Sequence, residues 1–222
     1  MGLEDQARSF AAQTSVLLNK TVADGIRISS ITTPAGYTVM GCGVTSKAPN
    51  PKPFVLGVSG KRCVWLYLQH SYDWDPEQVH LTMTRSTLSL YTSEEMADDQ
   101  LVLGIDYIRN PANQYPGCHL HVSGSRDDLD LIYLGEDRDS RKLRDLHLPV
   151  GGRRFRPTLE DLIEFVVTEE MATPRDNWRD VLDEHRELWD AIQVKAAVRR
   201  HQESAAESLA AQGWTVSPPP DR

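Results

Sequence analysis

Ile105-Asp106-Tyr107-Ile108-Arg109-Asn110-Pro111-Ala112-Asn113-Gln114-Tyr115-Pro116-Gly117-Cys118-His119-Leu120-His121-Val122 is the stretch that decides the fold. Two β-branched, apolar segments, extending to 101–108 and 118–123, flank a connection that holds two prolines and no helical periodicity. Strands joined this way pair antiparallel, because a parallel pair needs a long crossover. Alternation within Cys118–Val122 sends Cys118, Leu120 and Val122 to one face and both His119 and His121 to the other. The two imidazoles are then expected roughly 6 to 7 Å apart, which suits a shared phosphate or a shared metal ion.

The same reading extends toward the N-terminus. Residues 26–31 and 37–44 alternate around Thr33-Pro34-Ala35-Gly36 and predict a hairpin, followed by a proline-rich surface loop, Ala48–Pro53. Arg62–Gln69 is apolar on both faces and predicts a central strand. Val79–Thr84 places Val79, Leu81 and Met83 on one side, but past Arg85 the apolar parity flips to Leu88 and Leu90. A bulge or tight turn near Arg85 accounts for that flip. His70 and Asp73-Trp74-Asp75 read as a strand end and a turn. Residues 3–20 fit an amphipathic helix carrying Leu3, Phe10, Leu17 and Leu18.

The last third is helical. Thr158 and Asp161 form a capping pair ahead of Leu159, Leu162, Ile163 and Val166. Thr173-Pro174 then opens a helix of roughly 25 residues striped with Trp178, Val181, Leu182, His185, Leu188, Trp189 and Ile192. Trp65, Trp178, Trp189 and His185 read as core residues. Ser204–Gln212 predicts a short third helix stopped by Gly213. The expected architecture is α+β: an antiparallel or mixed sheet of about six strands in a domain over 1–157. A helical region over 158–216 packs on it, and a disordered tail covers 217–222.

Composition narrows the function. The chain has 222 residues and a formal charge of −8, which argues against wholesale coating of nucleic acid, although a local patch is compatible with it. No apolar run approaches a membrane span and no basic-then-apolar leader opens the chain, so residence in the cytoplasm and no membrane partner are expected. Cys42, Cys63 and Cys118 are odd in number, widely spaced and set in apolar contexts, and read as reduced thiols. Between Arg138 and Arg156 seven cations face two acids, with Gly151-Gly152 among them. That run reads either as a solvated loop or as an anion-holding one.

His119 and His121 are the candidate catalytic pair, one as base and one as acid, with Asp106 beside them. Arg109, His147, Arg153, Arg154 and Arg156 are candidate substrate-binding residues, and a divalent metal such as zinc, with His147 or Asp106 as a further ligand, is the competing use of the same histidines. The plain alternative is a pair of partly exposed strand histidines. Docking of residues 175–201 on a protein partner or on a second copy is the rival of any enzymatic reading.

Two resemblances follow from these residues. His80-Leu81-Thr82 and His121-Val122-Ser123 share the form histidine, apolar, hydroxyl, which resembles the paired motifs of 2H phosphoesterases. Asp106-Tyr107, then Tyr115-Pro116-Gly117-Cys118-His119-Leu120-His121, then the helix Leu159–Phe165, together resemble TumE-like toxin-antitoxin proteins over about 65 to 100 residues. The chain departs from that pattern by an extra residue between the proline and the histidines, by the arginine-rich insertion, and by its last helices. The resemblance implies a cytoplasmic bacterial protein in a toxin-antitoxin or defence-like setting, paired with a DNA-binding partner. The histidine pair together with the basic run is what points to a toxin-type phosphodiesterase acting on RNA or a nucleotide.

Overall fold

The computed structural model describes residues 2–58, 64–112, 115–124, 147–150 and 156–217. Its elements are α1 (Leu3–Thr21), β1 (Ile28–Thr32), β2 (Thr38–Cys42), β3 (Phe54–Leu56), β4 (Val64–Trp74), β5 (Leu81–Tyr91), β6 (Leu101–Ile108), β7 (Cys118–Val122), β8 (Leu148–Pro149), α2 (Leu159–Thr168), α3 (Trp178–Arg200) and α4 (Gln202–Ala211). The strands form one sheet in the order β1-β2-β4-β5-β6-β7-β8, with β3 also on β4, and every pairing is antiparallel. The fold is therefore α+β, with eight strands among the described residues where the sequence predicts about six. The two additions, β3 and β8, are three and two residues long and lie where prolines and charges mask any periodicity.

One face of the sheet is apolar and covered. Leu66, Leu68 and Tyr72 of β4, Leu88 and Leu90 of β5, Ile105 and Tyr107 of β6 and Cys118 of β7 share a single core with Leu17 and Leu18 of α1 and Leu162, Ile163 and Val166 of α2. Full burial of each such aliphatic side chain is worth about 1.5–3 kcal/mol, so this layer dominates the stability. α1 turns into β1 through Asn19, whose side chain accepts from the Ile26 amide at 2.9 Å. α2 starts at the predicted cap, where the Asp161 carboxylate accepts from the Thr158 amide at 2.8 Å.

The parity flip has its expected cause. Ser71 pairs with Arg85 but Tyr72 pairs with Met83, so Thr84 is an extra residue in β5. Beyond it Ser86, Leu88 and Leu90 are buried toward the helices, and Arg85, Thr87, Ser89 and Tyr91 point to the other face. Other details differ from the sequence reading. Val79 is exposed in the turn before β5, which begins at Leu81. His70, Asp73 and Trp74 belong to β4, and the turn comes after them, where Asp75 accepts from the amides of Val79 and His80. The long β4 continues past His70 because Met40 and Val39 of β2 still offer it a hydrogen-bonding edge.

The compact unit holding the sheet runs Met1–Leu182, and a second unit is Asp183–Arg222. The division falls inside α3 and not at 157/158, because α2 and Leu182 are part of the sheet's core. In the second unit Leu188 and Ile192 are exposed, and His185 and Trp189 are only half-buried, so the expected core stripe of the long helix ends at Leu182. Trp65 is likewise half-buried, on the face away from the helices. α4 closes at Gly213, whose φ of +87° is the left-handed stop that glycine accepts. Cys42 and Cys118 are free thiols, and Cys63 and the tail from 218 lie outside the described residues.

Candidate functional site: a histidine triad on the open sheet face

Register places three histidines together. Asp106 pairs with His119 and Gly104 with His121 across β6 and β7, and His119 pairs with Pro149 of β8. Continuing that antiparallel register puts His147 opposite His121, on the same face. The observed rings agree: centroids lie 4.9 Å apart for His119 and His121, 4.7 Å for His119 and His147, and 5.0 Å for His121 and His147. All three pairs are edge-to-face, and one nitrogen from each ring falls within 4.8 Å of the others.

Each ring is held by a different neighbour. His119 is buried, and its Nδ1 lies 2.9 Å from the Pro116 carbonyl oxygen. A carbonyl can only accept, so Nδ1 carries the proton and the lone pair of the neutral ring sits on Nε2. His121 Nε2 lies 3.5 Å from Asp106 Oδ2. The Tyr115 ring stacks on His147 at 3.7 Å with an interplanar angle of 15°. Thr87 completes the network by donating its hydroxyl to Asp106 Oδ1 at 2.6 Å. Burial pushes the Asp106 carboxyl upward, but the hydrogen bonds from His121 and Thr87 and the positive field of both histidines outweigh it and hold the group below its ordinary range.

Beside the triad runs an open cleft of about 380 Å³, lined by Arg85, Thr87, Tyr91, Asp106, His119 and His121 among others. Gly104 forms part of its floor, where a Cβ would meet Ser89 Oγ and His121 Cβ at 3.5 Å each. α1 and α2 pack on the opposite face of the sheet.

The other sequence candidates go elsewhere. Arg109 directs its Nε to the Met83 carbonyl at 3.0 Å. Arg156 lies over the Tyr107 ring, 4.6 Å from its centroid, with Nη2 3.6 Å from Met83 Sδ. Tyr107 pairs with Cys118 on the covered face, so Arg156 sits across the sheet from the triad. Arg153 and Arg154 lie outside the described residues. His80 is exposed in the β4–β5 turn, nine residues from Ser89, the β5 residue on the row of His121. Four participants escaped the sequence reading: Arg85, Thr87, Tyr91 and Tyr115. The first three follow once the bulge is located at Thr84, because alternation from Arg85 then leads directly to the histidine face.

Compared with known proteins, the chain matches no family model, no curated protein and no solved structure.

Proposed function

We propose that the triad is a divalent-metal centre, zinc first, of a hydrolase that cleaves phosphodiester bonds in RNA or a nucleotide. The observation that carries this reading is the convergence of nitrogens from His119, His121 and His147 within 4.8 Å. A catalytic zinc site takes three protein ligands and leaves a position for water, and a histidine ligand characteristically gives its other ring nitrogen to a carbonyl or a carboxylate. Pro116 and Asp106 occupy those roles for His119 and His121. An acid/base pair without metal fits less well. Such a pair needs one neutral and one protonated ring and leaves the third converging ring, His147, without a role. A shared cation instead uses the neutral rings as they are disposed.

Held by His119, His121 and His147, such a metal would supply an activated water and polarise the phosphoryl oxygen. Water oxygen bonds to phosphorus, the ester P–O bond breaks, and the departing alkoxide takes a proton, giving a phosphate monoester and an alcohol. The toxin-type setting rests on the resemblance of the Asp106–His121 segment, and the choice of RNA or a nucleotide on a histidine cluster with a cation beside it, Arg85 in the cleft. The test is elemental analysis of purified protein with an RNA cleavage assay. One zinc per chain is expected, with zinc and cleavage both lost in His147→Ala at unchanged melting temperature; a metal-free protein after zinc supplementation overturns the reading.

A second reading has its own support. Leu188 and Ile192 of α3 are 65% and 54% exposed, which favours an interaction protein that docks residues 175–201 on a partner or a second copy.

A further inference from the structure

We infer that the cleft beside the triad holds a single-stranded polynucleotide along β5, with the phosphate next to the reacting one paired to Arg85 and a base laid against Tyr91. This rests on the metal-hydrolase reading above, which supplies the reacting centre.

The bulge at Thr84 makes the arrangement possible. Were Thr84 to take a regular place in the ladder, alternation from Met83 would turn Arg85 into the core beneath the sheet. Because the bulge absorbs Thr84, Arg85, Thr87, Ser89 and Tyr91 all project to the histidine face, and all four line the same cleft as His119 and His121. Arg85 and Tyr91 are its two ends, six residues or about 20 Å apart on an extended strand. Between them lie two rows of register partners, Thr87–Asp106–His119 and Ser89–Gly104–His121. The triad therefore flanks the middle of the cleft, with a cation on one side and an aromatic ring on the other.

Chemistry distinguishes the two ends. Arg85 is exposed, and among the described residues no carboxylate lies within ion-pairing distance of it; its field instead reaches the hydroxyl of Tyr67. An uncompensated guanidinium beside a hydrolytic centre, in a chain of net charge −8, is suited to a phosphate oxygen. Its row is two residues, about 7 Å, from the Thr87 row, the scale that separates one backbone phosphate from the next. At the other end Trp65 is the register partner of Tyr91 and Tyr67 that of Ser89, all half-buried or lining the cleft on the face away from the core. Flat rings at that depth offer a stacking platform indifferent to base identity. A mononucleotide held at the triad fills one side of this cleft, whereas a strand passing through it uses both. A duplex, whose bases are already stacked on one another, leaves the aromatic end idle.

The test uses the full chain loaded with zinc, a fluorescein-labelled single-stranded RNA hexamer, and fluorescence anisotropy over a series of salt concentrations. Arg85→Ala is expected to weaken binding about tenfold at low salt and to lower the salt slope by about one. Arg85→Lys restores the slope. Tyr91→Ala weakens binding about tenfold with the slope unchanged. Zinc content stays at the wild-type level in all three. Unchanged affinity and slope in Arg85→Ala, with zinc retained, overturns the inference, as does AMP binding as tightly as the hexamer. Substoichiometric zinc in the wild-type protein sinks the metal reading by a separate measurement, while the effect of Arg85 on RNA binding still judges the cleft.

Discussion

Asp106 and His121 meet diagonally across β6 and β7, Oδ2 to Nε2 at 3.5 Å, although the register partner of Asp106 is His119 and that of His121 is Gly104. The glycine permits this diagonal, because no side chain stands between the imidazole and the carboxylate two residues away. The consequence is a carboxylate that orients one ligand ring while Thr87 orients the carboxylate. Asp106→Asn keeps the shape but removes the charge. Zinc affinity, measured by competition with a chromogenic chelator, is expected to fall 10- to 100-fold. Thr87→Val is expected to fall less, since it frees the carboxylate to rotate without discharging it. Equal affinity in wild type and Asp106→Asn would remove Asp106 from the site.

The exposed apolar stripe of α3 makes a prediction of its own. Leu188 and Ile192 are four residues apart and so lie on one face of the helix. Side chains of this size exposed by more than half lose about 1 kcal/mol or more each relative to burial at an interface. If a second copy covers them, multi-angle light scattering will give twice the chain mass, and Leu188→Glu with Ile192→Glu will return the chain mass. A monomer in both proteins removes self-association from consideration and leaves only a different partner.

The fold was legible in this sequence to the extent that side-chain period reports burial. Alternation locates β1, β2, β6 and β7, a run apolar on both faces locates the first part of β4, and the parity change in β5 locates its bulge. β3 and β8 were not legible, because strands of three and two residues contain too little alternation to separate from a loop. His119 and His121 were legible as a pair because a strand fixes neighbours two residues apart. His147 was legible only as a nearby histidine, since its place depends on β8 pairing with β7. The arginines misled for a physical reason. Arg109 and Arg156 are close in sequence to the site's elements, but strand parity and the return of the chain onto the covered face carry them to Met83 and Tyr107. The cation that does share the cleft is Arg85, the residue beside which the parity flip sets the bulge.

The covered face carries a polar row that predicts how the fold responds to acid. His70, Ser86, Tyr107 and Cys118 are register partners across β4, β5, β6 and β7, all buried. His70 Nδ1 and Tyr107 Oη have no hydrogen-bond partner. Burial first, and then the positive charge of Arg156, push the His70 imidazole down to about 3; Glu160 and the Gln69 backbone oppose the shift without reversing it. The unfolded chain therefore takes up a proton near pH 6.5 that the folded chain refuses until about pH 3. The stability tied to the neutral ring is complete above pH 6.5, declines as the pH falls, and is gone near pH 3. Between pH 7 and pH 5 this one group costs the fold about 2 kcal/mol, from 1.36 kcal/mol per pH unit once the unfolded histidine is charged. His70→Phe replaces the ring by an apolar one of similar shape, which removes a buried unpaired nitrogen and so costs little at pH 7. Urea unfolding at pH 7 and pH 5 is expected to show the wild-type protein losing about 2 kcal/mol more than His70→Phe over that interval. Identical losses in the two proteins would mean that His70 is charged in the folded state, and that the core beneath the sheet admits an anion or water to it.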